Sequence, residues 1–327
     1  MHAYARTLLF LAFSALSVLT VSPAVVAQDF SAKPITLVVG FPAGGSNDLI
    51  ARVIAPHLGE ALKTSVIIEI KAGASGTIAA TAVVRAVPDG HTLLVSSLSP
   101  TAITPQTMRK PPYDPRTDLL PINMLGYTPE TIAVGPTLPN VKTLSQLIAL
   151  AQTREITMSS AGVGGFPHLA IELFTLATKG KFVHVPYKGA TPAVADTAAG
   201  HVDATMMDTP PLLGLIKDGR LTALAVASEK RLGVLPDVPT AQETVTGFTA
   251  ISWIGLFAPA KTPDAVIARI NDALTQTLKK PDVLAQLEKV ALPSGLMASS
   301  AEFQKFVAAE YIRWGEVLKH AKIELTD

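Results

Sequence analysis

The chain lacks cysteine altogether and is poor in charge: only 16% of its 327 residues are Asp, Glu, Lys or Arg, against about 25% in ordinary soluble proteins. Without thiols, zinc fingers, iron–sulfur clusters and thiol catalysis are excluded. Neither sign of charge prevails. With 27 bases and 26 acids, the chain has no field to hold a nucleic acid or an anionic membrane. Neither HExxH nor a G-x-S-x-G elbow occurs, and the seven histidines are scattered without metal-ligand spacing. The Lys-Ser/Thr pair of a phosphate loop is absent, as is any GxGxxG after a strand. An enzyme is therefore not expected, and neither a cofactor nor a metal is.

Long apolar runs are missing too, except at the start. Arg6 precedes an apolar stretch from Leu8 to Val21, and Ser22–Ala27 supplies small residues for cleavage before Gln28. That stretch is shorter than the ~20 residues a membrane-spanning helix needs. Residues 1–27 are therefore expected to be a cleaved signal peptide, making the protein exported and soluble. A lipid anchor is excluded, because no cysteine stands at the cleavage site. Beyond residue 27, acids and bases are equal in number.

What is present is an alternation of short β-branched runs with helical stretches. Strands are expected at Ile35–Val39, Ser65–Ile70 and Thr92–Ser96, with helices over about Asn47–Leu62 and Thr77–Val87. Such spacing implies parallel pairing with right-handed crossovers. Residues 100–121, rich in proline, read as a long loop. Further strands are expected at Thr131–Val134, Thr157–Ser159, Val183–Val185, Ala204–Met207, Leu221–Ala225 and Ser252–Phe257. Helices are expected at Leu144–Thr153, His168–Thr178, Pro192–Ala199 and Leu212–Asp218, and then at Pro263–Lys279, Pro281–Lys289 and Ala301–Lys319. The fold class is thus α/β: two lobes joined by two crossover strands, with a helical C-terminus. Residues 28–130 plus 254–327 are assigned to lobe one and 131–253 to lobe two. The site is expected where the lobes face each other, beyond the carboxyl ends of their strands.

Three small-residue loops face that cleft. The first, Gly40–Asp48, leaves a strand and opens a helix, so its glycines and free N–H groups suit an anion; Asn47 or Asp48 would cap the helix. Ala72–Thr77 repeats the arrangement after the neighbouring strand, so two sets of backbone donors converge on a carboxylate without an arginine clamp. Ser159–His168 follows a strand of the other lobe and opens a helix. There His168 is either a pole for the ligand's far end or a packing residue at the helix start. Tyr187 and Lys188 end another strand, and Lys188 reads first as a solvated surface lysine. Asp208, also at a strand end, either faces the cleft or caps the following helix.

The segments KPITLVVGFPAGGSNDLIAR, PDGHTLLV, SSAGVGGFPHLAIELF, VPYKGATPAVADTAAGHVDATMMD and GVLPDVPT follow the signal peptide in one order. Together they resemble the Bug, or TctC-like, receptors: periplasmic solute-binding proteins of tripartite tricarboxylate transporters. The resemblance runs over about residues 30–320. It implies a Venus-flytrap fold and a small organic acid as ligand, with membrane transporter subunits as partners, or a sensor kinase instead. A periplasmic location and a monomer are expected. By the same resemblance Phe41, Ala43, Gly44, Asn47, Asp48, Ala74, Ser75 and Ser97 would line the ligand from lobe one, and Ser160, Gly164, His168 and Asp208 from lobe two. Two departures stand out. The relatives' Arg-Pro pair before the second loop is Lys71-Ala72 here, and the stretch Ser99–Pro105 lacks the His and Asn-Pro pattern of relatives.

Overall fold

The computed structural model describes residues 33–321, and the expected signal peptide lies outside them. In lobe one, β1 (Ile35–Val39) is followed by α1 (Ser46–Leu62), β2 (Val66–Ile70), α2 (Thr77–Val84) and β3 (Thr92–Ser97). β1 pairs in parallel with both β2 and β3. Both of its faces are covered, Leu37 and Val39 packing with Ile50 and Leu58 of α1 and Val38 with Ala80 and Val83 of α2, which is why ITLVV needs no polar alternation.

The expected long loop over 100–121 does not exist as such. Ser99–Ile103 forms a π turn, followed by α3 (Thr104–Thr107) and α4 (Pro115–Asp118). Three of its prolines, Pro100, Pro105 and Pro115, occupy first-turn positions, where a missing N–H costs nothing. The strand expected at Thr131–Val134 is far longer: β4 runs Leu119–Val134. Pro121 and Pro129 disguise its first part. The register slips between Pro121 and Asn123 and again between Met124 and Gly126, and irregularities of this kind accommodate proline within a sheet. Asn123 repairs the first slip, its Oδ1 accepting from the Met124 and Met297 amides.

Lobe two follows as α5 (Leu144–Thr153), β5 (Ile156–Ser160), α6 (Phe166–Thr178), β6 (Phe182–Pro186), α7 (Ala190–Ala199), β7 (Ala204–Asp208), α8 (Leu213–Lys217) and β8 (Thr222–Val226). The helices α6 and α7 each begin two residues earlier than the sequence reading places them, at their glycine N-caps. β9 (Ile251–Pro259) then returns the chain, and α9 (Asp264–Leu278), α10 (Pro281–Lys289) and α11 (Ser300–Ala321) complete it.

The strand order is β2-β1-β3-β9-β4-β7-β5-β6, with β8 also on β4. β4 is the shared member. Its residues up to Pro129 pair with β9, whereas Glu130 to Val134 pair with β7 and Thr131 to Val134 with β8. Two crossing strands therefore carry the chain between lobes, as expected. Ile35, Leu37, Ile50, Leu58, Ile270 and Leu274 share one core beneath β1. A second core runs from Val38 and Leu94 to Phe174 and Met206, bridging both lobes. α11 reaches across: Trp314 meets Phe166 of α6 edge-on at 5.4 Å. Glu310, itself buried, accepts from the Trp253 and Trp314 indoles, each at 3.1 Å.

Candidate functional site

At the end of β1 the chain turns through Gly40–Gly45 into α1. The N-cap is Gly45, which offers no side chain, so the first-turn amides are left for other partners. Neither Asn47 nor Asp48 is the N-cap. Asp48 reaches back from the first turn, its Oδ2 accepting from Gly44 N at 2.8 Å and from Arg52 Nε at 2.9 Å. Asn47 points inward, its Nδ2 donating to Val95 O at 3.5 Å.

The second loop is more strained. Gly73, Ala74, Ser75 and Gly76 all have positive φ, and for Ala74 (46°) and Ser75 (50°) that conformation costs about 1–2 kcal/mol each. Left-handed residues in succession let this loop lie against the first. A Cβ on Gly40 would come within 2.9 Å of Gly76 Cα. The parallel pairing of β1 and β2 thus delivers both loops to one place, as the sequence spacing implies.

From lobe two, β5 ends in the Ser160–Gly165 turn that opens α6. Ser160 is fully buried. Its Oγ is hydrogen-bonded to the His184 ring and donates to Gly162 O at 3.3 Å. His184 stacks on His168 with ring centroids 3.9 Å apart. His168 Nδ1 accepts from Gly164 N at 3.1 Å, while its Nε2 lies 3.6 Å from Glu172. Burial, reinforced by the neighbouring His168, lowers the His184 pKa to about 4. This cluster braces the turn from behind.

The lobes are closed on each other. Ser75 Oγ donates to Val163 O at 2.8 Å, Thr191 Oγ1 to Ala43 O at 2.8 Å, and Phe166 N to Ser99 Oγ at 2.9 Å. Gly164 O accepts from Thr104 Oγ1 at 3.2 Å. Glycine is required where the approach is closest. A Cβ on Gly189, whose φ is +123°, would fall 2.2 Å from Pro42 Cδ.

Between the lobes lies an inner chamber with about 30 Å³ of free volume, bordered by Phe41, Gly45, Ser46, Asn47, Ser75, Ser97, Ser99, Ala161, Gly165, Pro167, Ala190, Met207, Asp208 and Ser252. An outer chamber of about 350 Å³ shares Phe41, Ser75 and Ala161 and adds Ala74, Tyr187 and Lys188. The inner lining contains no Lys, Arg or His. It is instead ringed by the starts of α1, α6 and α7, whose amides carry partial positive charge. Such an arrangement holds an anion through oriented dipoles.

Of the residues singled out in the sequence, Phe41, Asn47, Ser75, Ser97 and Asp208 border the inner chamber and Ala74 the outer one. Ala43 and Gly44 lie outside both, engaged through a carbonyl and an amide. Asp48 turns to Gly44 and Arg52, Gly164 is taken up by the lobe contact, and Ser160 and His168 stand behind the turn. Sequence reasoning missed Ser46, Ser99, Ser252 and Glu130. The last is a lone acid in an apolar run, and its position became meaningful only through its strand partner, Asp208.

The family model described as tripartite tricarboxylate transporter family receptor matches residues 50–323. Protein BugT of Bordetella pertussis is 35% identical over 304 residues, covering 91% of this chain and 92% of BugT. A solved R. palustris protein with adipate is 32% identical, with a TM-score of 0.87, covering 90% of this chain and 99% of that one. MatC from Rhodopseudomonas palustris, with bound malate, is 30% identical with a TM-score of 0.82, covering 88% of this chain and 100% of MatC. The chain belongs to the tripartite tricarboxylate transporter receptor family and is a solute-binding receptor, not an enzyme.

Proposed function

We propose, from that membership, that the chain captures a small carboxylate between its lobes in the periplasm and delivers it to the membrane subunits of a tripartite transporter. One observation carries this reading: three helix starts and a left-handed loop converge on a chamber whose lining has no basic side chain. Neutral dipoles of this kind recognise an anion locally and need no basic surface, consistent with the near-zero net charge. The adipate and malate bound by two relatives support a carboxylate as ligand class.

The lobes, taken as residues 28–130 with 254–327 and as 131–253, part to admit ligand by a hinge at residues 128–134 and 250–256. The working form is a monomer released from its signal peptide. A panel of carboxylates tested by thermal denaturation examines the proposal: ligand at 100 times its Kd adds about 2.7 kcal/mol of stability. A panel of mono-, di- and tricarboxylates, amino acids and aromatic acids that leaves the melting temperature unmoved would refute it.

A further inference from the structure

The inner chamber has a second pole with the opposite requirement. β4 and β7 pair antiparallel with Glu130 directly opposite Asp208, a relationship that sets both side chains on one face, Cβ atoms about 4.5–5.5 Å apart. Glu130 is completely buried, and Asp208 is the one group that acts on its carboxyl. Asp208 retains an opening onto the chamber. Ser46, 3% exposed and bordering the same space, turns its hydroxyl toward Asp208.

Two like acids directly opposite on neighbouring strands weaken a sheet, and buried carboxyls ordinarily sit beside a cation. Here burial, then the Asp208 charge, drives the Glu130 pKa well above the carboxylate range. Burial raises Asp208 as well, and Ser46 and Glu130 draw it partly back. No Lys, Arg or His is among the groups acting on either acid. Two carboxyls set directly opposite each other cannot both ionise, so the pair shares a proton, and Asp208 is the member that faces the chamber as an acceptor.

We infer that Glu130 and Asp208 form a subsite for a protonated amine, so that the ligand is a zwitterion: an amino acid or other amino-carboxylate. This rests on the carboxylate reading above and narrows it. The carboxylate end lies on the small-residue loops, and the ammonium donates to Asp208 and to the Ser46 oxygen. Asp208 touches the ligand; Glu130 is a positioning residue that holds the proton and keeps the local charge at minus one. A second carboxylate at this pole would meet like charge with no cation to offset it.

Acids matched with and without an α-amine test the inference: alanine against propionate, aspartate against succinate, glutamate against glutarate. Isothermal titration of the purified receptor is expected to show at least one amine-bearing member binding about tenfold or more tighter than its partner, the worth of a hydrogen bond to a charged group. Asp208→Asn should bring that ratio toward unity, an effect that general destabilisation of the fold would not produce, whereas Glu130→Gln, neutral like the protonated acid, should largely keep it. The wild-type ratios test the idea even where a variant folds poorly. Amine-free members binding as tightly as their partners would overturn the inference and leave the carboxylate reading standing. Absence of binding by any carboxylate, with or without an amine, would overturn both.

Discussion

Ser75 donates its hydroxyl to the Val163 carbonyl at 2.8 Å, from one lobe to the other. It does so from a left-handed backbone conformation, with φ of 50°. A strained residue thus supplies a bond that exists only while the lobes are shut, and strain of this kind is characteristic of ligand clamps.

Ser75→Ala should weaken ligand binding by about three- to tenfold, the worth of one neutral hydrogen bond. Ser75→Gly loses the same bond but releases the backbone cost. Titration calorimetry should find similar affinity losses in both variants, and thermal denaturation should find the glycine variant the more stable.

Gly189→Ala places a Cβ against Pro42 in a backbone region closed to alanine. Lobe closure should be blocked. Small-angle scattering should show wild-type compaction on ligand addition and none in the variant, with affinity down about tenfold or more.

Glu310 is the shared acceptor of Trp253 on the crossover strand β9 and Trp314 on α11. Glu310→Ala leaves two buried indole N–H groups unpaired, a loss of about 2–4 kcal/mol. Glu310→Gln keeps an acceptor oxygen and should lose less than half of that. Chemical denaturation followed by tryptophan fluorescence measures both.

Stability should depend on pH through His184. Its folded pKa of about 4 lies below the ordinary 6.5, so the unfolded chain binds the extra proton between those values. Stability is then full above about pH 6.5 and falls as pH drops toward 4, by on the order of 2 kcal/mol after solvent screening. The acid pair works in the opposite sense. Glu130, with its folded pKa raised, contributes stability at low pH that is lost as pH rises through its folded value. His184→Gln should flatten the acid limb of a melting-temperature profile, and Glu130→Gln the limb at higher pH.

Much of lobe one was legible because a buried strand, a small-residue turn and a helix leave local marks, as at Val39, Gly44 and Ile50. β4 was legible only at its end, since Pro121 and Pro129 suggest a loop until the register slips that accommodate them are known. Within the site, local composition marked the right loops but not the direction of each side chain. Asp48 is drawn away by Gly44 and Arg52, and Ser160 and His168 are held behind their turn by His184, from a different strand. The Glu130–Asp208 pair depends on strand register over a long separation, which no local pattern encodes.

The most direct test of a cleft that binds carboxylate through neutral dipoles is titration calorimetry of the tightest-binding acid and its methyl ester, at low and high salt. The acid should bind one to one with little change between about 10 mM and 500 mM salt, because no basic side chain lines the chamber, and the ester should bind at least about tenfold more weakly. Equal binding of acid and ester, or an affinity that collapses with salt, would contradict it.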